Sequence, residues 1–302
     1  MSIRKVVSSL RKNAPSGVSD LARRVALGWG RVTAALRMQP DFIVVGAQRA
    51  GTTTLFRVFS EHPEVVRPTV SKGIGYFDLN YAKGVRWYRG HFPLKALAVL
   101  RHGKGVQVFE SSGYYLFHPL AAERIANDLP DVKVIVMVRD PVERAYSAHR
   151  HEMMRGFERE DFPSALKLES VRLEGAEDRI RQHPNLEDFN HRHHAYRARS
   201  RYAEQIRRYQ DVLGSDRVYI IDADRFFASP EEELNGLFKW LGLREWMPAS
   251  VAQWNAQPRE PMDPQLRTEL EEAFADSDAE LELLMGRTPS WVERRRKNQG
   301  ES

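Results

Sequence analysis

The sequence predicts an α/β protein, with three αβα layers around a central parallel sheet, and three observations carry that prediction. Short apolar runs occur at Phe42–Gly46 and at Val132–Val138, with a further one at 217–221. The first is continuous rather than alternating, as a strand buried on both faces requires. Helical periodicity separates them, and strands alternating with helices pair in parallel with helices packed on both faces.

Taken in order, the first forty residues stand apart. Val18, Leu21, Ala22, Val25, Trp29, Val32 and Leu36 recur at intervals of three and four, as one face of a helix does, with Arg23, Arg24, Arg31 and Arg37 largely off that face. Three readings stand side by side: a helix touching an anionic membrane through residues 18–38, a helix docked on its own domain, or a partly disordered arm. Gly28 and Gly30 each cost such a helix about 1 kcal/mol. The strand at 42–46 runs into a glycine-containing loop, then a helical pattern over 52–61. After the strand at 132–138, Asp140 suits an N-cap, Pro141 the first helical position, and Glu143 sits three beyond the cap. That helix is predicted to run into the Met154 region. The run at 217–221 lies between helical patterns near 200–213 and 230–241, and a helix rich in Leu and Glu closes the fold at 263–285. One domain, 41–292, is predicted between a basic N-terminal segment, 1–40, and a basic, solvated tail, 293–302.

Composition narrows the function. With 302 residues, 42% hydrophobic and 29% charged, the chain can bury a full core. Cysteine is absent, which excludes disulfides, thiolate zinc sites and cysteine nucleophiles. No run of apolar residues is long enough to span a bilayer, and the start lacks an apolar block followed by a cleavage site. The expectation is therefore a cytoplasmic protein, peripheral at the inner membrane face if 18–38 lie on lipid. The net charge of +5 is unevenly spread. Residues 1–38 hold eight basic side chains and one acid, 293–302 hold four and two, and 39–292 hold 34 and 38, a net of −4. A body that is net acidic argues against a nucleic-acid partner.

The loop Gly46-Ala-Gln-Arg-Ala-Gly51-Thr52-Thr53 joins a buried strand to a helix, where backbone N–H groups and the helix N-terminus favour an anion. Its G-x-x-x-x-G spacing is P-loop-like, but Thr52 stands where a nucleoside triphosphatase needs Lys, and no acid for Mg²⁺ ends the second strand. The cation is Arg49, inside the loop, which suits a 5′-phosphate carrying a transferable group. Arg139 ends the second strand and Ser147 lies two turns into its helix, so both can face one site above the sheet edge.

These residues resemble a known family. Val44 to Leu55 (VVGAQRAGTTTL) is similar to the 5′-phosphosulfate loop of sulfotransferases that use 3′-phosphoadenosine 5′-phosphosulfate (PAPS), and Val138 to Ser147 (VRDPVERAYS) to their 3′-phosphate motif. Heparan-sulfate-type carbohydrate sulfotransferases and their bacterial homologues are the nearest in pattern. The likeness runs in order from about 41 to 291. It implies that Gln48, Arg49, Ala50, Gly51, Thr52, Thr53 and Thr54 hold the 5′-phosphosulfate, with Arg49 in the place of the family's catalytic cation. Arg139 and Ser147 would bind the 3′-phosphate, with Tyr202 and Arg259 touching the nucleotide from the far side. The cofactor implied is PAPS, leaving as its bisphosphate product, with no metal. The acceptor implied is a hydroxyl, or less readily an amine, of a carbohydrate or glycolipid.

The chain departs from that pattern at the base. Relatives keep a Glu in a K/E-E-x-x-F-F stretch; here the run is Ser71-Lys-Gly-Ile-Gly-Tyr-Phe77, with Gly73 at the Glu position. Asp78, after the aromatic pair, is the favoured replacement, and Glu110, at the end of an apolar run, is the other candidate. Trp87 is a candidate for stacking on a sugar, and His191 and His194, in an H-x-H-H run, for lining an acceptor groove. Without cysteine or a matched acid pair the run does not make a metal site. Two rivals remain: a P-loop nucleotide kinase, and a catalytically silent nucleotide- or glycan-binding homologue.

Overall fold

A computed structural model of the chain describes residues 16–69, 72–251, 261–298 and 300. Five strands form one sheet: β1 (Phe42–Gly46), β2 (Val65–Val66), β3 (Gln107–Ser111), β4 (Lys133–Val138) and β5 (Val218–Asp222), in the order β2-β3-β1-β4-β5. Every pairing is parallel, with Phe42 opposite both Phe109 and Lys133, and Val138 opposite Asp222. All five residues of β1 are buried, which is why its sequence is an unbroken apolar run. Phe42, Phe59 and Phe109 stack beneath it with ring centroids 4.6–5.6 Å apart.

The helices are α1 (Ser16–Val32), α2 (Thr52–Glu61), α3 (Val85–Arg89), α4 (Lys95–His102), α5 (Ala121–Asp128), α6 (Pro141–Met154), α7 (Phe162–Leu173), α8 (Ala176–Gln182) and α9 (Phe189–His193). They continue as α10 (Tyr202–Leu213), α11 (Ala223–Ala228), α12 (Pro230–Leu241), α13 (Pro264–Met285) and α14 (Ser290–Asn298). The predicted αβα architecture is present. Asp140 caps α6 as expected, accepting from the Val142 and Glu143 N–H groups. Glu143 turns instead to Arg267 and Arg139.

Topology places the site. From β1 the chain leaves toward β2, and from β4 it leaves toward β5, so the crossovers diverge between adjacent strands. A crevice opens at the carboxyl ends of strands that part in this way.

Two expectations for the ends need correction. The basic tail is not a solvated arm: α14 crosses residue 293, Trp291 is buried, and Arg294, Arg295 and Arg296 pair with Asp224, Asp278 and Glu282. Each arginine meets a carboxylate on an earlier helix, so tertiary pairing overrides the local charge run. At the other end α1 does dock on the domain, through Gly30 against Gly90, where an added Cβ would lie 2.5 Å from the Gly90 carbonyl oxygen. Its apolar stripe is not what docks: Val25, Trp29, Val32 and Leu36 face solvent, while Val18, Leu21 and Ala22 fall outside the described side chains.

Candidate active site

The β1–α2 loop and the β4–α6 junction meet. Arg49 Nε donates to Ser147 Oγ at 3.1 Å, and Arg139 Nη1 donates to the Arg49 carbonyl at 3.4 Å. Gly51 caps α2 in the left-handed region at φ 99°, and an added Cβ would lie 3.1 Å from the Phe227 ring, so strain and space both demand glycine. The Thr54 N–H bonds the Gly51 carbonyl at 2.9 Å, and the Thr52 and Thr53 amides open the helix at the loop, where a helix N-terminus favours an anion.

Both junctions line one cleft of about 500 Å³. Among the described residues, seven cationic side chains line it against one carboxylate, Asp78. Arg49, Lys72 and Arg139 stand at the loop; Arg150 and Arg155 come from α6 and its C-terminal end, Arg192 from α9 and Arg199 from the turn before α10. A protein whose body is net acidic has gathered its positive charge here, and low-dielectric walls focus such a field on an anion. Burial and then the neighbouring Arg139 push the Arg49 guanidinium below its ordinary range. Two like charges held side by side are relieved by an anion between them.

Lys72 is a residue of the cleft lining that sequence reasoning passed over. Its Nζ donates to Thr53 Oγ1 at 2.9 Å and lies over the Phe56 ring. Burial, helped by the nearby Arg57 charge, lowers its pKa to about 8. The signal was the Lys that precedes Gly73 in the quoted motif. Gln48 is held by the buried Arg199 guanidinium, which also bonds the His191 and Arg192 carbonyls.

The candidate bases separate cleanly. Asp78 lines the cleft, accepts from the Leu79 N–H at 2.6 Å, and has its pKa raised by burial against the lowering fields of Arg192 and Arg124. Glu110 does not reach the cleft. It is fully buried behind the sheet end, where it accepts from Tyr88 Oη (2.6 Å), Tyr115 Oη (2.8 Å), Ser112 Oγ (2.8 Å) and the Ile74 N–H (3.3 Å). Three donors crowd Oε1 and Tyr88 takes Oε2, and the group has no solvent exposure, so the carboxylate is committed to the packing around it. At Gly73 an added Cβ would meet the Ser111 carbonyl and Ser112 Oγ at 3.4 Å, ordinary contact, so the space of a side chain is open there.

Of the remaining expected residues, Gln48, Gly51, Thr52, Thr53, Arg139 and Ser147 line the cleft, while Ala50 and Thr54 are buried beneath it. Tyr202 stands behind, its hydroxyl donating to the Arg139 carbonyl at 2.9 Å, where it supports the strand end rather than facing a ligand. Arg259 lies outside the described residues. Trp87 is not on the cleft; it packs against His91 and Tyr76 under Lys83. Nor are His191 and His194. His191 on α9 and His194 at its C-cap both turn inward, His191 bonded to Tyr114 Oη and stacked on Phe117, His194 bonded to Asn190 and the Phe157 carbonyl. The histidine between them, His193, lines the cleft instead, with Nδ1 2.9 Å from Glu152 Oε2. Tyr114, His151 and Arg155 join it on the same wall.

Comparison with known proteins agrees with this geometry. The family model described as "Sulfotransferase domain" matches residues 39–272, well over half of the chain. Heparan sulfate glucosamine 3-O-sulfotransferase 5 of Mus musculus is 28% identical over 72% of this chain and 56% of its own length. Bifunctional heparan sulfate N-deacetylase/N-sulfotransferase 4 of the same species is 26% identical over 84% of this chain and 31% of its own length. The chain thus spans about half or less of these curated relatives. A sulfotransferase from Alicyclobacillus acidocaldarius has a solved structure that superposes with a TM-score of 0.61 at 30% identity, covering 83% of this chain and 97% of that one. A further relative, 24% identical over 83% of this chain and 66% of its own length, is the membrane-associated sulfotransferase kil1 of Dictyostelium discoideum. With heparan sulfate enzymes and a membrane-associated one among its relatives, the expectation of a cytoplasmic protein does not stand, although no described helix is long and apolar enough to cross a membrane. A loop that joins a buried strand to a helix, a second cationic junction beside it, and a family match spanning both lead to one assignment: the chain belongs to the sulfotransferase family.

Proposed function

We propose that this chain transfers a sulfuryl group from PAPS to a hydroxyl of an acidic carbohydrate or glycoconjugate, an amine being the second choice of acceptor. The observation that carries the reading is the contact of Arg49 with Ser147 and of Arg139 with the Arg49 carbonyl. It puts two cationic junctions at one cleft, as a nucleotide with two anionic ends requires.

The residues present fit such a donor. The α2 amides, Thr52, Thr53 and Lys72 would hold its 5′ end, and Arg139 with Ser147 its 3′-phosphate. When bound, PAPS supplies the sulfuryl group, released in an in-line displacement that needs little beyond positioning and charge stabilisation. Arg49 neutralises charge on the transferring group and on the leaving phosphate, a role whose loss costs about 3–4 kcal/mol in comparable oxyanion sites. Asp78 takes the acceptor's proton. Burial strengthens it for that task, because a carboxylate with a raised pKa is a better base. Arg150, Arg155 and Arg192 give the acceptor wall a positive face, which suits a glycan carrying carboxylates or sulfates.

A calorimetric titration with adenosine 3′,5′-bisphosphate, without metal, should show binding that ATP with Mg²⁺ does not match. Labelled PAPS with a panel of acidic oligosaccharides should then give products one sulfo group heavier. Tight Mg²⁺-dependent ATP binding would reassign the chain as a kinase. Bisphosphate binding without transfer to any glycan would make it a silent homologue, a reading that Gly73 favours.

A further inference from the structure

We propose that the solvent face shared by α1 and α4 docks on an anionic lipid bilayer. The proposal goes beyond sulfuryl transfer and uses none of the cleft residues. Where its side chains are described, the apolar stripe is turned away from the domain: Trp29 and Val32 on α1, and Leu36 in the turn that follows, are 61%, 72% and 66% exposed. On α4, Leu97 and Leu100 lie three apart on one face, and Leu100 is 81% exposed. A groove of about 340 Å³ joins the two helices, walled by Trp29, Leu94, Leu97 and Ala98, so the apolar residues form one strip rather than scattered points.

Charge says what covers it. Residues 21–40 and 79–109 contain ten Lys and Arg and no Asp or Glu. Arg24, Arg31, Lys95 and Arg101 are exposed around the strip. Asp41, whose field reaches Lys95, spends its carboxylate on the Val108 N–H at 2.6 Å. An exposed tryptophan and leucines bordered by Lys and Arg are what the headgroup boundary of an anionic bilayer accepts, apolar side down and cations at the phosphates. A soluble polyanion would satisfy the cations and leave the leucines in water. A second copy would set one basic rim against another.

The test is co-sedimentation of the full-length protein with vesicles of phosphatidylcholine alone and with about one third phosphatidylglycerol, in low and high salt. Two variants accompany it, Trp29→Ser/Leu100→Ser and Arg24→Glu/Arg101→Glu, all exposed positions outside the cleft. Unchanged melting and unchanged bisphosphate binding establish that the variants fold. The expected result is binding to the anionic vesicles only, weakened by salt and at least tenfold weaker in each variant. Absence of binding to anionic vesicles overturns the proposal. So does full binding by the Trp29→Ser/Leu100→Ser variant, which would mark a polyanion site, or a dimer in gel filtration that this variant dissociates.

Discussion

Glu110 offers a sharp test, because sequence pattern and structure give it opposite roles. In the fold its carboxylate gathers three hydroxyls and one amide, all within 3.3 Å, at a site with no solvent exposure. Glu110→Ala leaves those donors without an acceptor, and each orphaned buried group costs about 1–3 kcal/mol. Allowing two hydroxyls to find other acceptors, the loss is about 2–6 kcal/mol, a large part of the ~5–15 kcal/mol that holds a domain folded. At ~2 °C per kcal/mol for a chain of this size, the midpoint should fall by about 4–12 °C. Glu110→Gln keeps the shape and one of the two acceptor oxygens, with an amide N–H able to donate to the Tyr88 hydroxyl, and should cost less. Burial raises the Glu110 pKa above its unfolded value. Ionisation therefore opposes folding, and the stability this group contributes is full below pH ~4.5 and lost as pH rises through its folded pKa. Glu110→Gln should abolish that contribution. Denaturant titration at several pH values, paired with bisphosphate binding, is the assay. The reasoning is refuted if Glu110→Ala is as stable as the parent, or if Glu110→Gln folds and binds nucleotide yet loses turnover a hundredfold.

Other expectations follow from the cleft. Arg139→Ala or Ser147→Ala should weaken adenosine 3′,5′-bisphosphate about 10–100-fold, the weight of one or two charge-assisted hydrogen bonds. Neither should change binding of adenosine 5′-monophosphate, and equal losses for both ligands in calorimetry would remove the 3′-phosphate assignment. Asp78→Asn should leave nucleotide affinity intact and lower kcat about 10²–10⁴-fold, with the acidic limb of the rate profile lost; unchanged turnover would end its role as base. Lys72, with a pKa near 8 in the free protein, should be driven to its charged form by a bound anion. Bisphosphate binding above pH 8 should then take up close to one proton, and almost none at pH 6.5. Titrations in two buffers of different ionisation enthalpy measure this, and Lys72→Met should erase it.

Much of the framework was legible along the chain because its causes are local. β1 and α2 carry the expected bounds, Phe42–Gly46 and Thr52–Glu61, since an unbroken apolar run and a glycine-closed loop state them directly. Asp140-Pro141 announces α6 for the same reason. The glycine-bounded loop and the Arg139–Ser147 pair were visible because spacing within one strand–helix unit fixes where side chains point. What could not be read was which faces turn inward. His191 and His194 turn inward while His193 meets the cleft, a choice made by the rings and carbonyls packed against the helix. Glu110 ends a strand as an active-site acid would, yet Tyr88, Tyr115 and Ser112, brought from elsewhere, close around it.

The sequence by itself determined the alternation of strands and helices, the glycine-bounded loop between β1 and α2 and the acid-free basic stretches, because each depends on neighbours within a few residues. Only the tertiary structure decided that seven cations converge on one cleft, that α14 is paired rather than solvated, and that the stripe of α1 faces outward. Those outcomes rest on contacts between residues tens or hundreds of positions apart, and periodicity carries no information about which partner a face will meet.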